Sequence, residues 1–283
     1  MIEVKNIIKH YPGFELNCSL KSESGRITGV IGQNGAGKST LFRIILSLAK
    51  AEEGTVVIDG QDIRTMRDQD REKIGTVMAD STFSGYLTID DVRILLKQFY
   101  PTFDEGFFVT KCRESGLNPK AKINDLSTGM KAKLKVLSAI SHKADLLVLD
   151  EPTAGLDVIA RDDVLDLLRD YMEQNPDACI LISSHISSDL ENLCDDIYMI
   201  HNGKIVLHED TDRLLSDYCM IKADQETFEK MDKQYLLKVK KEPWGYQCLS
   251  NERAFYQENY PDTVIEKTGI DELMLLMIKG ETV

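Results

Sequence analysis

The stretch GVIGQNGAGKST, closing at Thr40, crowds four glycines around an apolar start and a single lysine. It fits the spacing GxxxxGK[ST] with Gly32, Gly37, Lys38 and Ser39. Glycines let successive backbone N–H groups curl around an anion without Cβ obstruction, and a helix starting at the lysine adds its positive dipole end. Lys38 would then reach the β and γ phosphates of a nucleoside triphosphate, and the Ser39 hydroxyl would ligate Mg²⁺. A second run, LLVLDEPTAGLD, supplies Asp150 to hold that metal through water and Glu151 to orient or deprotonate the attacking water. Adjacent carboxylates at a buried strand end are costly without a cation, which favours a working site over decoration.

These residues must be positioned by elements that the patterning makes readable. Strands are predicted over IEVKNIIKHY, FELNCSLKS and RITGVI, followed by a helix from Lys38 to about Leu48. EEGTVVIDGQDI carries an Asp59-Gly60 turn signal and predicts another hairpin in the same sheet. Helical patterning runs from Ile89 to about Ala144, broken at Pro101 and around Gly116 to Pro119. The continuous apolar runs DLLVLDEP and ACILISSH read as strands buried on both faces of a parallel sheet. Such sheets hold ligands at the carboxyl ends of their strands, where Asp150 and His185 fall. Beyond Asp210 short strands and helices alternate, through KQYLLKVKK, a Pro243-Trp244-Gly245 turn and a closing helix DELMLLMIKG, with a boundary near Asp212.

Composition narrows the setting. The 283 residues suffice for one large domain, or one domain with a small appendage. With 34 basic and 47 acidic residues the formal net charge is -13, which repels nucleic-acid phosphates and anionic lipid, so nucleic acid is not an expected partner. The six cysteines, Cys18, Cys112, Cys179, Cys194, Cys219 and Cys248, show no CxxC pair and no His at metal-ligand spacing. Free thiols in a reducing cytosol and no zinc site are expected. No apolar run approaches the roughly 20 residues that span a bilayer, so the chain by itself reads as soluble and cytoplasmic.

Over roughly residues 1 to 210 the sequence resembles the nucleotide-binding subunit of ATP-binding cassette (ABC) transporters. The resemblance implies an α/β fold, a P-loop NTPase of the ABC ATPase type, with a RecA-like core, an antiparallel β subdomain and a helical subdomain at about 86-144. The cassette would span 1-212 and a small α/β C-terminal domain 213-283. Phosphate binding falls to Asn34, Gly35, Ala36, Gly37, Lys38, Ser39 and Thr40, the metal to Ser39 and Asp150, and catalysis to Glu151 and His185, the match of the family's switch histidine. The other histidines, His10, His142, His201 and His208, read as structural. The family's LSGGQ signature corresponds to LSTGM, Leu126 to Met130, where Ser127 and Gly129 would touch the γ-phosphate held by the other protomer. By itself LSTGM also reads as an ordinary helix cap. Asp157 in AGLD matches the loop that communicates between paired sites. Tyr11 in KHYPG matches the aromatic that stacks on adenine, while its spacing alone fits a core tyrosine as well.

Two places depart from the family pattern. Where it carries a Gln that contacts the metal and senses the membrane partner, this chain has IGTVMADSTF, with Ala79 or Asp80 at the position. Asp80 reads either as a water-mediated metal ligand or as a solvated surface residue. Thr128 and Met130 replace the signature's Gly and Gln, and Thr128 there would crowd the phosphate. Met130, the acidic residue near the missing Gln and the segment QFYPTFDEGFF resemble one subgroup, bacterial single-cassette ATPases of type-2 exporters linked to drug, antibiotic or peptide export.

The resemblance further implies two copies facing head to tail, each ATP lying between the P-loop of one and the LSTGM of the other. The pair would be a homodimer, or a heterodimer with a second ATPase subunit. It would use ATP and Mg²⁺ and sit on an integral membrane permease at the inner face of the cell membrane. Two other readings were weighed against this one. A soluble ABC-type ATPase acting on ribosomes or DNA would need long coiled coils or a second cassette, and neither heptads nor a second P-loop is present. A regulator that no longer hydrolyses is opposed by Glu151 and His185, while Ala79 and Thr128 keep that reading open. The tail reads as a packed appendage, with Trp244 at a turn and Met274 and Met277 in a helix core, or as a dimerisation or regulatory surface.

Overall fold

The computed structural model describes residues 1–282. Strands β1 (Ile2–Tyr11) and β2 (Phe14–Ser22) pair antiparallel, and β2 alternates between buried and exposed residues as a sheet with one wet face requires. Strand β3 (Ile27–Ile31) is buried at every position and leads through the glycine-rich loop into helix α1 (Lys38–Ile45). Strands β4 (Glu53–Ile58) and β5 (Gln61–Asp62) form the hairpin signalled by Asp59-Gly60, and β4 returns to β1. Helix α2 (Asp68–Arg71) and strand β6 (Ile74–Val77) precede α3 (Ile89–Phe99), α4 (Glu105–Glu114) and α5 (Thr128–Ile140). Then come β7 (Leu146–Asp150), α6 (Val158–Gln174), β8 (Cys179–Ser184), α7 (Ser187–Glu191), β9 (Asp196–His201), β10 (Lys204–Asp210) and α8 (Thr211–Ser216). The tail contributes β11 (Cys219–Ala223), α9 (Gln225–Lys230), β12 (Leu236–Glu242), β13 (Gly245–Ser250), α10 (Arg253–Asn259), β14 (Val264–Lys267) and α11 (Ile270–Lys279).

These strands make three sheets. The first has the order β2-β1-β4-β5, the central one β10-β9-β3-β8-β7-β6 and the tail's β12-β13-β11-β14. In the central sheet all neighbours are parallel except β10, which closes one edge antiparallel to β9. The single N-terminal sheet expected from sequence is therefore corrected: β3 leaves its neighbours and pairs with β8 and β9, because five consecutive buried residues need cover on both faces. The first helix is also shorter than predicted. Ser47 takes a left-handed φ of 58°, and the N–H groups of Leu48 and Ala49 return to the Arg43 carbonyl at 2.7 and 3.1 Å, which ends the helix. Strands β6, β9 and β10 and helices α2, α6 and α7 are additional to the predicted set.

The tail has its own small core around Ile221, Cys248 and Tyr256, yet Ile270, Leu273 and Leu276 of α11 are buried in the same cluster as Leu190, Leu193 and Ile197. It is thus packed onto the central sheet through α7, with Trp244 half exposed at its turn. All six cysteines are buried and free. Burial pushes the Cys18, Cys112 and Cys248 thiols up to about 12, leaving them protonated at neutral pH.

His142, at the end of the helical region, is 1% exposed, stacks on Tyr100 with ring centroids 4.1 Å apart and has no partner for Nδ1. Burial pushes its imidazole down from 6.5 to about 4. The unfolded chain therefore takes up a proton that the folded one refuses, and stability present above pH 6.5 declines as pH falls toward about 4, by roughly 3 kcal/mol. The melting temperature is expected to fall across that window, and His142→Phe, which keeps the stack, to flatten the decline. Equal slopes in the two proteins would contradict this assignment.

Candidate active site

The phosphate loop is built by close backbone approach. A Cβ on Gly32 would lie 2.4 Å from the Ile200 carbonyl oxygen, so the chain leaving β3 can pass β9 only as glycine. Gly37, at φ 114°, caps α1 where a side chain would meet Leu16 and Phe14. No side chain caps α1 and no acidic residue sits in its first turn, so its leading N–H groups remain free for an anion. Lys38 is only 5% exposed; its Nζ donates to the Gly32 carbonyl at 2.6 Å and stands 3.2 Å from Glu151 Oε1.

The two carboxylates arrive at the end of β7. Asp150 is 1% exposed, and its Oδ1 accepts from Ser183 Oγ at 2.6 Å, while Ser183 Oγ accepts from the Glu151 N–H at 3.0 Å. Asp150 Oδ2 is buried with no partner. That orphaned acceptor is what a cation would satisfy. Among the described residues no three metal-binding side chains cluster, so a cation here must draw on water, phosphate oxygens and a hydroxyl as well, which suits Mg²⁺ and the Asp150–Ser39 pair. Glu151 takes a left-handed φ of 51°, a strained backbone of order 1–2 kcal/mol held by its hydrogen bonds to Ser183. Its Oε2 accepts from the His185 backbone N–H at 3.3 Å and lies 2.6 Å from His185 Nδ1. One carboxylate therefore bridges the lysine after β3 and the histidine after β8.

Gly37, Lys38, Glu151 and His185 line a cleft of about 630 Å³ that also includes Asn34, Gly35, Ser39, Thr40, Ala79 and Tyr11, while Asp150 is buried behind that lining. Tyr11 is 43% exposed at its wall, 6.4 Å from the Phe14 ring, and is not a core residue. Ala36 stands apart from the other loop residues. It is buried, and its N–H is spent on the Gln33 carbonyl at 3.0 Å. Asp80 does not line the cleft; its carboxylate pairs with Arg43 Nη2 at 2.5 Å, and Ala79 takes the lining position. Arg43, Phe14 and Ser183 are site residues that the motifs do not reveal. For Ser183 a signal existed, since the parallel register sets it directly opposite Asp150.

Ser127, Gly129 and Asp157 form a separate surface outside that cleft. Ser127 is exposed and caps α5, its Oγ accepting from the Met130 N–H at 3.2 Å. Asp157 caps α6, accepting from the Ala160 N–H at 2.9 Å. A Cβ on Gly129 would come within 2.8 Å of Ala160 Cβ, so the glycine allows the starts of α5 and α6 to lie side by side. Within one chain this surface does not complete the nucleotide cleft.

An uncapped helix behind a glycine-rich loop, beside a carboxylate pair at the end of one strand of a parallel sheet, defines a P-loop nucleoside triphosphatase. Known proteins narrow the class. The family model described as ABC transporter matches residues 16–154. The ABC transporter ATP-binding protein YtrB of Bacillus subtilis (strain 168) is 31% identical over 229 residues, covering 80% of this chain and 78% of that protein. The bacitracin transport ATP-binding protein BcrA of Enterococcus faecalis is 33% identical, covering 73% and 68%. The solved dimeric structure of a bacterial ABC transporter cassette shares the fold, with a TM-score of 0.65 at 23% identity, covering 75% of this chain and 99% of that one. The chain belongs to the ABC transporter family, as the ATP-binding and ATP-hydrolysing subunit that energises transport. None of its described helices is long and apolar enough to cross a membrane.

Ser183→Ala removes the only donor to Asp150 among the described residues and should raise the Mg²⁺ concentration needed for half-maximal ATPase activity by about tenfold. A magnesium titration identical to that of the unaltered protein would show that Ser183 does not orient a metal ligand.

Proposed function

We propose that this subunit drives an exporter through two composite ATP sites, and that the residues of the cleft divide the work as follows. The N–H groups of Asn34, Gly35, Gly37, Lys38, Ser39 and Thr40 and the Lys38 ammonium bind the phosphates, with Gly35 and Gly37 keeping the loop clear of side chains. Tyr11 stacks on the adenine. Ser39 and Asp150 hold Mg²⁺, which when bound supplies positive charge against the phosphate oxygens. Glu151 accepts a proton from water as the water oxygen bonds to the γ-phosphorus and the bond to the β-phosphate oxygen breaks, releasing ADP and inorganic phosphate. His185 holds Glu151 in place and stabilises charge on the γ-phosphate. The observation that carries this reading is the contact of Glu151 with both Lys38 and His185 at the mouth of three parallel strands.

The surface of exposed Ser127 and half-buried Gly129 supports a partner's phosphates across a head-to-tail dimer, with Asp157 linking the two sites. The pair is either two copies of this chain or this chain with a second ATPase subunit. Its permease docks on the helical region, where Phe83, Leu95, Leu96, Phe99 and Tyr100 line an apolar groove and Phe99 is 69% exposed. Only a few residues separate Phe83 in that groove from Ala79 in the nucleotide cleft, so movement at one is felt at the other. Association with the inner face of the membrane follows from that docking. The names of relatives such as BcrA support an antibiotic or peptide as the exported cargo.

Glu151→Gln is expected to retain ATP binding, to lower the hydrolysis rate by at least about a hundredfold and to trap a dimer in Mg-ATP. Phosphate release and sedimentation of the variant check both, and near-normal turnover or a monomer in ATP would contradict the assignment. Phe99→Asp should abolish recovery of the permease with tagged chain from native membranes while leaving ATP binding intact; undiminished recovery would move the docking face elsewhere.

A further inference from the structure

Asp189 lies on α7, four residues past His185, and no role assigned above uses it. It is 2% exposed and stays outside the nucleotide cleft. Its Oδ2 accepts from Thr153 Oγ1 at 2.6 Å and from Ser184 Oγ at 3.5 Å, and its Oδ1 stands 3.6 Å from Arg161 Nε. Each partner belongs to a different segment of the site. Thr153 follows Glu151 by two residues, and Ser184 ends β8 immediately before His185, its Oγ also accepting from the Ile186 N–H at 3.0 Å. Arg161 lies on the first turn of α6 beyond Asp157, and its Nη2 reaches back to the Leu156 carbonyl at 3.5 Å. A single carboxylate–guanidinium pair thus holds the loop from Glu151 to Asp157 at both Thr153 and Leu156. The outer side of α7 is fixed by the tail, where Ser187 Oγ donates to Asp271 Oδ2 at 2.9 Å and the Ile270 N–H donates to Glu191 Oε1 at 3.1 Å.

An apolar residue would pack α7 without the penalty of burying a charge. What the carboxylate adds is direction: it fixes three segments relative to one another, at the fraction of an ångström that an attacking water and its base require. Arg161 Nε, buried and without a hydrogen-bond partner, has Asp189 as its only ion-pair partner among the described residues. We infer that Asp189 is a positioning residue for ATP hydrolysis, setting the loop that carries Glu151 against the strand end that carries His185. The role rests on the proposed assignment of Glu151 and His185 to catalysis.

The test uses purified full chain, measuring Mg-ATP hydrolysis, equilibrium ATP binding and thermal melting in parallel for Asp189→Asn, Thr153→Ser, Thr153→Val and Glu151→Gln. Asp189→Asn should lower kcat by at least about tenfold with ATP affinity within about twofold and melting little changed, a split that a mere fold tie would not give. Thr153→Ser, which keeps the hydroxyl, should retain kcat, and Thr153→Val should lose it. A kcat within twofold of normal for Asp189→Asn overturns the inference. So does a loss of kcat matched by an equal loss of ATP affinity or of melting temperature, which marks a purely structural tie. If Glu151→Gln is inactive while Asp189→Asn is normal, only the positioning role falls; if Glu151→Gln itself turns over normally, the catalytic assignment falls and this role with it.

Discussion

A buried ammonium must find an anion, and the site is organised around that requirement. Lys38 is almost wholly enclosed, and in the protein alone its charge is met by the Gly32 carbonyl and the Glu151 carboxylate. Triphosphate is a stronger anion placed at the same loop. Under the proposed division of roles, binding it transfers the lysine to phosphate and leaves Glu151 with His185 and water, so the Lys38–Glu151 ion pair is the one released for chemistry. The left-handed backbone of Glu151 persists because the Ser183 carbonyl and hydroxyl both hold its N–H.

The parallel sheet makes that meeting possible. With β3, β8 and β7 adjacent and parallel, the residues that follow them emerge at one edge: Gly32 after β3, Asp150 at the end of β7 and His185 after β8. Register completes the arrangement, since Ser183 is opposite Asp150 and Ser184 opposite Ile31. A one-residue slip of β8 would turn Ser183 to the other face and leave Asp150 without its donor.

Residues that act through their own type and spacing were legible before any coordinates. Lys38, Ser39, Asp150, Glu151 and His185 sit in short local motifs, and local motifs survive in sequence. Ala36 shows the limit of that reading: it lies inside the motif, but its N–H turns inward to Gln33. Strand β3 was recognised as a strand but assigned to the wrong sheet, although its uninterrupted apolar run matches those of β7 and β8 and could have signalled a doubly covered position. Helix α6 was hidden by its charged residues, even though Val164, Leu165, Leu168 and Tyr171 keep helical spacing behind the Asp157 cap. Asp189 and Arg43 carry no local signal, because Thr153 and Asp80, to which they are joined, lie more than 30 residues away in sequence and only tertiary contact brings them together.

The exposed Ser127 surface is separate from the phosphate loop, so under the proposed function one chain presents two half-sites. The claim that they unite between chains is tested most directly by cross-linking. All six native thiols are buried, whereas Asn34 and Ser127 are exposed, so Asn34→Cys and Ser127→Cys introduce the only accessible thiols. Mixed in the Glu151→Gln background, the two variants should join through a short bis-maleimide only in Mg-ATP and only between unlike chains. Absence of an ATP-dependent product, or one formed as readily by either variant alone, would contradict the head-to-tail composite site.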